Sequence, residues 1–217
     1  MKILIGCEES QAVTIEFRKL GHEAYSCDLK PCSGGHPEWH LQIDIFEALE
    51  LMAWDMFIFF PPCTYVCSSG LHWNKRRPER QAKTDAAIQF VKDLWAKAES
   101  LGIGKVAMEN PVGCLSTQWK KPSQYIQPYQ FGDDASKNTC LWLKGLPLLV
   151  PTIYFPPRIV DGKPRWGNQT DSGQNKETPQ NGNEARAEIR SKTYPGIAKA
   201  MAYQFVNIHN LQLTLAL

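Results

Sequence analysis

The segment Asp55–Phe60 is an almost wholly apolar run that stops at Pro61 and Pro62. It is too short for a typical helix, and a run without polar alternation does not suit the edge of a sheet. The segment therefore predicts a strand that is covered on both faces, as the strands of parallel sheets are. The two prolines end this strand and stiffen the turn that follows, because each fixes its own φ and restricts the residue before it.

Further strand and helix patterns alternate around this run. Strands are predicted at residues 2–7, 23–28 and 105–108, and helices at residues 13–20, 44–51 and 78–101. This alternation predicts an α/β fold, in which a mostly parallel sheet has helices on both faces. Such sheets bind ligands beyond the carboxyl ends of their strands. The loops in that position begin at Cys7, Asp28, Asp44, Pro61 and Glu109.

The pattern is less regular in the second half of the chain. Residues 125–131 and 139–144 look strand-like, whereas residues 161–186 are so polar that they predict a long mobile loop. Pro195 opens a last helix. The apolar face of this helix would consist of Ile197, Met201, Phe205 and Ile208. We expect residues 1–217 to form one domain.

The composition permits several functions and indicates none of them. Lys and Arg total 24 and Asp and Glu total 22, so the net charge of +2 attracts polyanions only weakly. The seven cysteines have no framework spacing and are predicted to be reduced thiols. No apolar run suits a signal peptide or a bilayer span. We therefore expect a cytoplasmic protein with no membrane association and no obligate protein partner.

Cys63 follows the two prolines at the carboxyl end of the predicted buried strand. A lone cysteine is more often a small buried hydrophobe than a reactive group. Here the stiff turn and the polar residues after it favour a nucleophile. A thiol has a pKa near ~8.5 and needs a positive environment to react, which we expect the backbone amides of this loop to supply.

Glu109 emerges from the next predicted strand, before Asn110 and Pro111. Alone, it would be read as an exposed loop residue. Together with Cys63 it forms a pair that suits chemistry on cytosine. Attack on C6 of that ring becomes feasible only if the charge that builds on N3 meets a proton or a strong donor.

The motifs Phe60-Pro61-Pro62-Cys63 and Glu109-Asn110-Pro111, in this order, resemble the DNA cytosine C5 methyltransferase family, in particular its small phage-type members. The resemblance covers most of the chain. It implies a Rossmann-like class I fold that depends on S-adenosylmethionine, and a bacterial host cell if a phage encodes the chain. It also implies that Cys63 adds to C6, that Glu109 engages N3, and that C5 accepts the methyl group and then loses its proton.

The same resemblance suggests where S-adenosylmethionine would bind. The loop after the first strand has the position of the family's first motif, although it lacks the second glycine and no GxGxxG is present. Asp28 would hold the ribose hydroxyls, as acids in that place do in Rossmann-like sites. Tyr194 begins a stretch that resembles the last family motif, which closes the donor pocket. The full set of candidate cofactor contacts is Cys7, Glu8, Ser10, Gln11, Asp28, Asp44, Ile45, Pro61 and Tyr194.

The candidate substrate contacts lie around the reactive loop. Lys137 sits where the family has a basic motif that lines the base pocket. Pro62 and Asn110 flank the reactive groups, and Arg76, Arg77 and Arg165 are candidates for phosphate contacts. Each arginine has an alternative as an ordinary solvated charge.

The chain has no room for a large target-recognition domain between Thr139 and Tyr194. Two substrates remain, a free cytidine nucleotide (CMP or dCMP) and DNA read with little sequence preference. The weak net charge slightly favours the free nucleotide, whereas the family name favours DNA. The sugar and the sequence context stay open.

Two other functions are possible for this pattern. Amino methyltransferases that modify N4 or N6 in DNA also use a Pro-Pro loop, but Phe60 cannot accept a hydrogen bond from an amine. Cys63 also occupies the place of the usual aromatic residue. A catalytically silent nucleotide-binding protein is the second alternative, and the intact pair of Cys63 and Glu109 argues against it.

Cys27, Cys32, His36 and His40 are close enough in sequence to suggest zinc. Their spacing does not match the common zinc patterns, and cytosine methylation needs no metal. We therefore predict no metal site.

Overall fold

The computed structural model of the protein describes residues 1–176 and 192–207. Seven strands form one sheet: β1 Lys2–Gly6, β2 Glu23–Cys27, β3 His40–Leu41, β4 Met56–Phe59, β5 Lys105–Pro111, β6 Gln124–Ile126 and β7 Thr139–Lys144. Their order is β3-β2-β1-β4-β5-β7-β6. Only β7 runs against the others in this sheet. The predicted α/β architecture with a mostly parallel, Rossmann-like sheet is confirmed.

Six α-helices connect or cover these strands in the described chain: α1 Ala12–Lys19, α2 Ile45–Glu50, α3 Ser68–Leu71, α4 Pro78–Ser100, α5 Leu115–Gln118 and α6 Pro195–Val206. Short 3-10 turns occur at Pro37–Trp39 and Pro128–Gln130. A separate hairpin consists of β8 Arg158–Val160 and β9 Lys163–Arg165. None of the described helices has the length and apolar character needed to cross a membrane.

Apolar side chains cover both faces of the sheet. On one face, Leu4, Phe57 and Phe59 pack with residues of α2 and α4. On the other face, Ile5 and Ile58 pack with residues of α1 and α6. Every residue of β4 is fully buried, as the uninterrupted apolar run predicts. Two layers of helix therefore hold the central strands in place, and the strand ends carry the polar loops.

The helix ends follow local sequence signals. The carboxylate of Asp44 accepts a hydrogen bond from the Phe46 amide and caps α2, as predicted. Gly21 follows α1 with a φ of 79°, a left-handed conformation that glycine adopts without strain. Pro78 and Pro195 each occupy the first turn of their helix, as their fixed φ favours.

Residues 161–176 differ from the predicted irregular loop. Lys163–Arg165 pairs with β8, and the Trp166 side chain is buried with its ring stacked on Tyr129. This segment has few apolar residues, and Trp166 provides its packing. Residues 177–186 of that prediction, and Ile208 of the predicted helix face, lie outside the described residues.

The order of the strands changes direction between β1 and β4. The strands β2 and β3 lie on one side of β1, and the strands from β4 onward lie on its other side. In open α/β sheets the crevice outside the carboxyl ends of such strands binds ligands. The loop that begins at Cys7 and the loop that begins at Phe60 both leave the sheet at this point, and the Phe60 amide donates to the Gly6 carbonyl at 3.0 Å.

The loops after β4 and β5 are joined by backbone hydrogen bonds. The Cys114 amide donates to the Val66 carbonyl at 2.9 Å, and the Ser68 amide donates to the Val112 carbonyl at 3.0 Å. Gly113 lies between these bonds, and a Cβ atom there would sit 1.9 Å from the Val66 carbonyl oxygen. The close approach of the two loops therefore requires glycine at this position.

We expect Gly113→Ala to destabilise the protein by about 1–3 kcal/mol, because the added methyl group forces the two loops apart. The matched control is Gly104→Ala, where a Cβ atom would meet nothing within 4 Å. The control should be neutral or gain up to about 1 kcal/mol. Denaturant unfolding of both variants checks this, and equal free energies of unfolding would refute the steric account.

Candidate active site

Cys63 and Glu109 belong to adjacent parallel strands. Phe59, the last residue of β4, pairs with Met108 of β5, so both chains reach the carboxyl edge of the sheet together. Glu109 is the next residue of β5, and Cys63 follows β4 after the two prolines. The sheet register therefore brings the two predicted reactive groups to the same edge.

Cys63 is half-buried, and its thiol forms a hydrogen bond with the thiol of Cys67. This hydrogen bond, burial and the charges of Cys67 and Glu109 raise the pKa of Cys63 well above its usual range. The positive charge of Lys137 acts in the opposite direction. The expectation that loop amides would activate the thiol is therefore wrong for the protein without its ligands.

Cys67 is a site residue that the sequence reasoning set aside as structural. The Cys67 amide donates to the Cys63 carbonyl at 3.0 Å, which closes a helical turn and brings the two side chains together. The Cys67 sulfur also lies 3.2 Å from the Ser69 hydroxyl. The spacing of four residues between Cys63 and Cys67 is the sequence pattern that could have indicated this contact, although the CxxC pattern is absent.

Glu109 is half-buried beside β7. Burial raises the pKa of its carboxyl group, whereas the positive charge of Lys137 and a hydrogen bond with the Thr139 side chain lower it. Because the rise prevails, the carboxyl group holds its proton to a higher pH than an exposed glutamate. The charge of Lys137 thus acts on both Cys63 and Glu109, and its contact with a base stays a prediction.

Asn110 holds the two reactive loops together instead of facing a substrate. It is 1% exposed, and its side-chain amide donates to the Pro61 carbonyl at 2.8 Å. Pro61 is likewise buried, while Pro62 is exposed next to Cys63. Asn110 therefore has a positioning role, and its predicted substrate contact stays a prediction. Pro62 keeps an accessible position.

The arginines occupy three different settings. Arg80, three residues after Arg77, donates from its guanidinium to the carbonyls of Thr64 at 2.8 Å and Gly70 at 3.2 Å. It therefore fixes the reactive loop. Arg76 and Arg77 are exposed and lie over the Trp73 ring.

Arg165 does not reach the reactive loop through any contact in the described chain. Its guanidinium donates to the Asp171 carbonyl at 3.0 Å and to the carbonyl of Pro164 at 2.9 Å. These bonds stabilise the hairpin and the turn after it. The predicted phosphate contact of Arg165 stays a prediction, since two of its five N–H donors bind these carbonyls and the others remain available.

Three candidate cofactor residues come together at the carboxyl ends of β1 and β2. Burial raises the pKa of the Cys7 thiol above its usual range, and the charges of Asp28 and Asp44 add to this rise. Cys7 has a φ of 57°, a left-handed conformation that is uncommon outside glycine. Asp28 and Asp44 therefore face the strained turn after β1, in the crevice at the strand-order reversal.

Glu8 and Gln11 have structural roles that the sequence did not indicate. The Glu8 carboxylate is 4% exposed and accepts hydrogen bonds from the Val13 amide at 2.6 Å and the Thr14 hydroxyl at 2.7 Å. Gln11 is fully buried, and its side chain bonds to both backbone groups of His36. These groups hold α1 and the loop after β2, and their predicted cofactor contacts stay predictions.

The remaining cofactor candidates differ in access. Ser10 is half-buried at the start of α1, and its hydroxyl lies 3.5 Å from the Ala12 amide. Ile45 is a core residue whose Cδ1 atom packs over Gly6. Tyr194 precedes α6 and contacts the Asn168 side chain through its hydroxyl. Ile45 is therefore part of the core beneath the first loop, and its predicted cofactor contact stays a prediction.

The crevice retains polar groups that suit a polar, positively charged cofactor. Glu9 Oε1 is buried and has no hydrogen-bond partner among the described residues, although Glu9 accepts a backbone bond from Ser33. A buried carboxylate oxygen is stable only when a donor meets it. The Lys192 ammonium group contacts the Ser33 hydroxyl at 3.3 Å, which brings the segment before α6 to this loop.

The cysteine and histidine cluster does not assemble as a ligand set. Both ring nitrogens of His40 lie 2.8 Å from other groups, the Ser26 hydroxyl and the Lys30 carbonyl. Cys27 is buried, and burial raises its pKa to about 12. Within residues 1–176 and 192–207, no group of three or more Cys, His, Asp or Glu side chains is placed to hold a metal ion.

No protein-family model matches this chain, and no curated protein matches it. Among solved structures it is similar to a prophage-encoded protein of E. coli whose description as a DNA modification methyltransferase is provisional. The two are 12% identical, and the match covers 74% of this chain with a TM-score of 0.48. This chain spans about half of that protein, 54% of its length. A likeness at this level carries no argument about activity.

The buried carboxyl group of Glu8 makes stability depend on pH. Burial raises its pKa from 4.5 to about 7, so between these values the folded chain holds a proton that the unfolded chain has released. Stability therefore falls as pH rises through this window, by about 3 kcal/mol in all. Glu8→Gln should lose this pH-dependent part of the free energy of unfolding.

Denaturant unfolding of the wild type and of Glu8→Gln at pH 5 and pH 8 measures this difference. The exposed Glu47 on α2 provides a matched control, Glu47→Gln. An equal pH dependence of the free energy of unfolding in the wild type and Glu8→Gln would show that the Glu8 carboxyl group is not responsible.

Cys67→Ala should lower the pKa of Cys63, because it removes the hydrogen bond that raises this pKa most and also the smaller effect of the Cys67 charge. The thiolate fraction at pH 8 then increases, and iodoacetamide should alkylate Cys63 faster. Mass spectrometry of the Cys63 peptide gives the rate. Ser69→Ala is the control, since it alters only the second partner of Cys67. An unchanged rate in Cys67→Ala would contradict the coupling.

Proposed function

We propose that the protein transfers a methyl group from S-adenosylmethionine to C5 of cytosine, with Cys63 as the nucleophile and Glu109 as the acid. One observation carries the proposal. Cys63 lies on the loop after β4, and Glu109 lies near the carboxyl end of the adjacent parallel strand β5. The Asn110 side chain joins this strand to the loop, and the charge of Lys137 acts on both reactive groups. A thiol and a carboxyl group in this relation suit addition to an electron-poor ring.

The first step requires two proton movements. The Cys63 thiol gives its proton to a water molecule, and its sulfur forms a bond to C6 of the base. The electron pair of the C5–C6 double bond shifts toward C4, the C4–N3 double bond opens, and N3 takes a proton from the Glu109 carboxyl group. C5 becomes nucleophilic as part of the resulting enamine.

The raised pKa of Glu109 supports its role as a proton donor near neutral pH. The raised pKa of Cys63 opposes the formation of thiolate in the protein alone. The ammonium group of Lys137 favours the thiolate, and its effect strengthens when a bound base excludes water from the site. Lys137 would thus help to deprotonate Cys63 and to stabilise the negative charge that follows.

S-adenosylmethionine, when bound, would supply the electrophilic methyl group that C5 accepts. Asp28, Asp44 and the turn at Cys7 are the residues that would hold it, with the Glu9 carboxylate as an acceptor for a cationic group. After C5 has gained the methyl group, loss of the C5 proton and departure of the Cys63 sulfur restore the aromatic ring. Glu109 then recovers its proton from N3.

Cys63→Ala should abolish transfer of labelled methyl groups to cytosine, because no sulfur remains to attack C6. Binding of S-adenosylmethionine, measured by calorimetry, should stay within about twofold, since Cys63 is not among its proposed contacts. Cys32→Ala removes another partly exposed thiol and is the control. Retention of transfer in Cys63→Ala would disprove the covalent mechanism.

Glu109→Gln should lower kcat by about 10²–10⁴-fold, the usual range for loss of a general acid. The amide keeps the shape of the side chain but cannot deliver its proton to N3 as a carboxylic acid does. Single-turnover transfer to cytosine measures the loss, with Glu47→Gln as the control. A rate close to that of the wild type would exclude Glu109 as the acid.

A further inference from the structure

Positive charge is concentrated in the segment that follows the reactive loop. Residues 72–83 contain five Lys or Arg residues and one Glu, although the whole chain has a net charge of only +2. The segment covers the end of α3, an exposed turn and the first turns of α4. Such a local excess attracts polyanions more strongly than the net charge suggests.

Aromatic rings alternate with these cations. Trp73 is 41% exposed, and the guanidinium groups of Arg76 and Arg77 lie 5.8 Å and 5.3 Å from its ring centroid. Tyr65 lies beneath two other cations, Arg80 at 4.9 Å and Lys83 at 5.5 Å. Nucleobases stack on aromatic rings and on guanidinium planes alike.

These cations are not neutralised within the protein. In the described part of the chain, no carboxylate forms an ion pair with Lys75, Arg76, Arg77 or Lys83. Arg158 provides the contrast, since its guanidinium pairs with Asp171. The charge of residues 72–83 therefore remains available to an external anion.

Hydrogen bonds hold these aromatic rings and cations against the reactive loop. Tyr65 follows Cys63 by two residues, and its carbonyl accepts a hydrogen bond from the Thr84 hydroxyl at 2.8 Å. Arg80 on α4 donates to the Thr64 and Gly70 carbonyls on either side of it. A base held at Cys63 would therefore have its neighbouring nucleotides close to these rings and cations.

We propose that Tyr65, Trp73, Lys75, Arg76, Arg77 and Lys83, here called the aromatic–cationic surface, bind an unpaired nucleic-acid strand that flanks the target cytosine. The inference rests on the proposed function and names its substrate class. A free nucleotide has one phosphate group and no second base, so it leaves two rings and most of the cations unused. A duplex hides its base faces, whereas an unpaired strand offers both faces and phosphates.

Binding of a fluorescent cytosine-containing oligonucleotide, measured by anisotropy with the full chain, tests the surface without any methyl transfer. Trp73→Ala and the double variant Arg76→Ala/Arg77→Ala should each weaken binding of the single strand by about tenfold. The double variant should also reduce the slope of log Kd against log salt by about 1.4, because it loses two phosphate contacts. The wild type should bind the single strand more tightly than the duplex.

The matched controls lie on α1 and α6, on the opposite face of the sheet. Tyr203→Ala removes another exposed aromatic ring, and Lys19→Ala/Lys199→Ala removes the same number of charges. Both controls should bind the oligonucleotide as the wild type does. If Trp73→Ala and the arginine variant bind no more weakly than these controls, or if the duplex binds as tightly as the single strand, the inference is overturned.

Methyl transfer separates this inference from the proposed function. If the aromatic–cationic surface binds the strand, kcat/KM should be larger for the single-stranded oligonucleotide than for dCMP. Trp73→Ala should then lower kcat/KM for the oligonucleotide and leave that for dCMP unchanged. A larger kcat/KM for dCMP overturns the inference and leaves the C5 chemistry intact. Surface-dependent binding with no transfer to any cytosine supports the surface and contradicts the proposed function.

Discussion

The hydrogen bond from the Asn110 side chain to the Pro61 carbonyl is the contact on which the candidate site depends. It joins the loop after β4 to the carboxyl end of β5, and the backbone bonds from Cys114 to Val66 and from Ser68 to Val112 extend the junction. The loop that carries Cys63 would otherwise move independently of the strand that carries Glu109. The parallel register brings them to one edge, and this junction keeps them there. The same junction explains why Gly113 tolerates no side chain.

Burial gives the site its chemical character. Removal from water raises the pKa of Glu109, and burial together with Cys67 raises the pKa of Cys63. Both groups are therefore protonated more readily than in water, which suits Glu109 as an acid and restrains Cys63 until a substrate binds. Lys137 opposes both shifts. In the proposed mechanism the charge of Lys137 shifts Cys63 from the protonated thiol toward the reactive thiolate.

The sequence predicted the sheet well because its signals are local. The apolar run of β4, the proline at the start of α4 and the cap at Asp44 each act within a few residues. Cys63 and Glu109 were predicted because each comes at the end of a strand pattern, whereas Lys137 was predicted from the family resemblance. Long-range contacts could not be read in this way. Asn110, Glu8 and Gln11 are polar in sequence, yet the fold uses their side chains to hold its own backbone. Trp166 likewise orders a segment whose composition indicated mobility.

The central claim is that a sulfur of this chain adds to cytosine so that C5 receives the methyl group. Its most direct test uses S-adenosylmethionine with a labelled methyl group and offers duplex DNA, single-stranded DNA, RNA and CMP or dCMP in parallel. Digestion of each product to nucleosides and mass spectrometry then identify the methylated atom. The account predicts label at C5 of cytosine, and label only at the exocyclic N4 would contradict it.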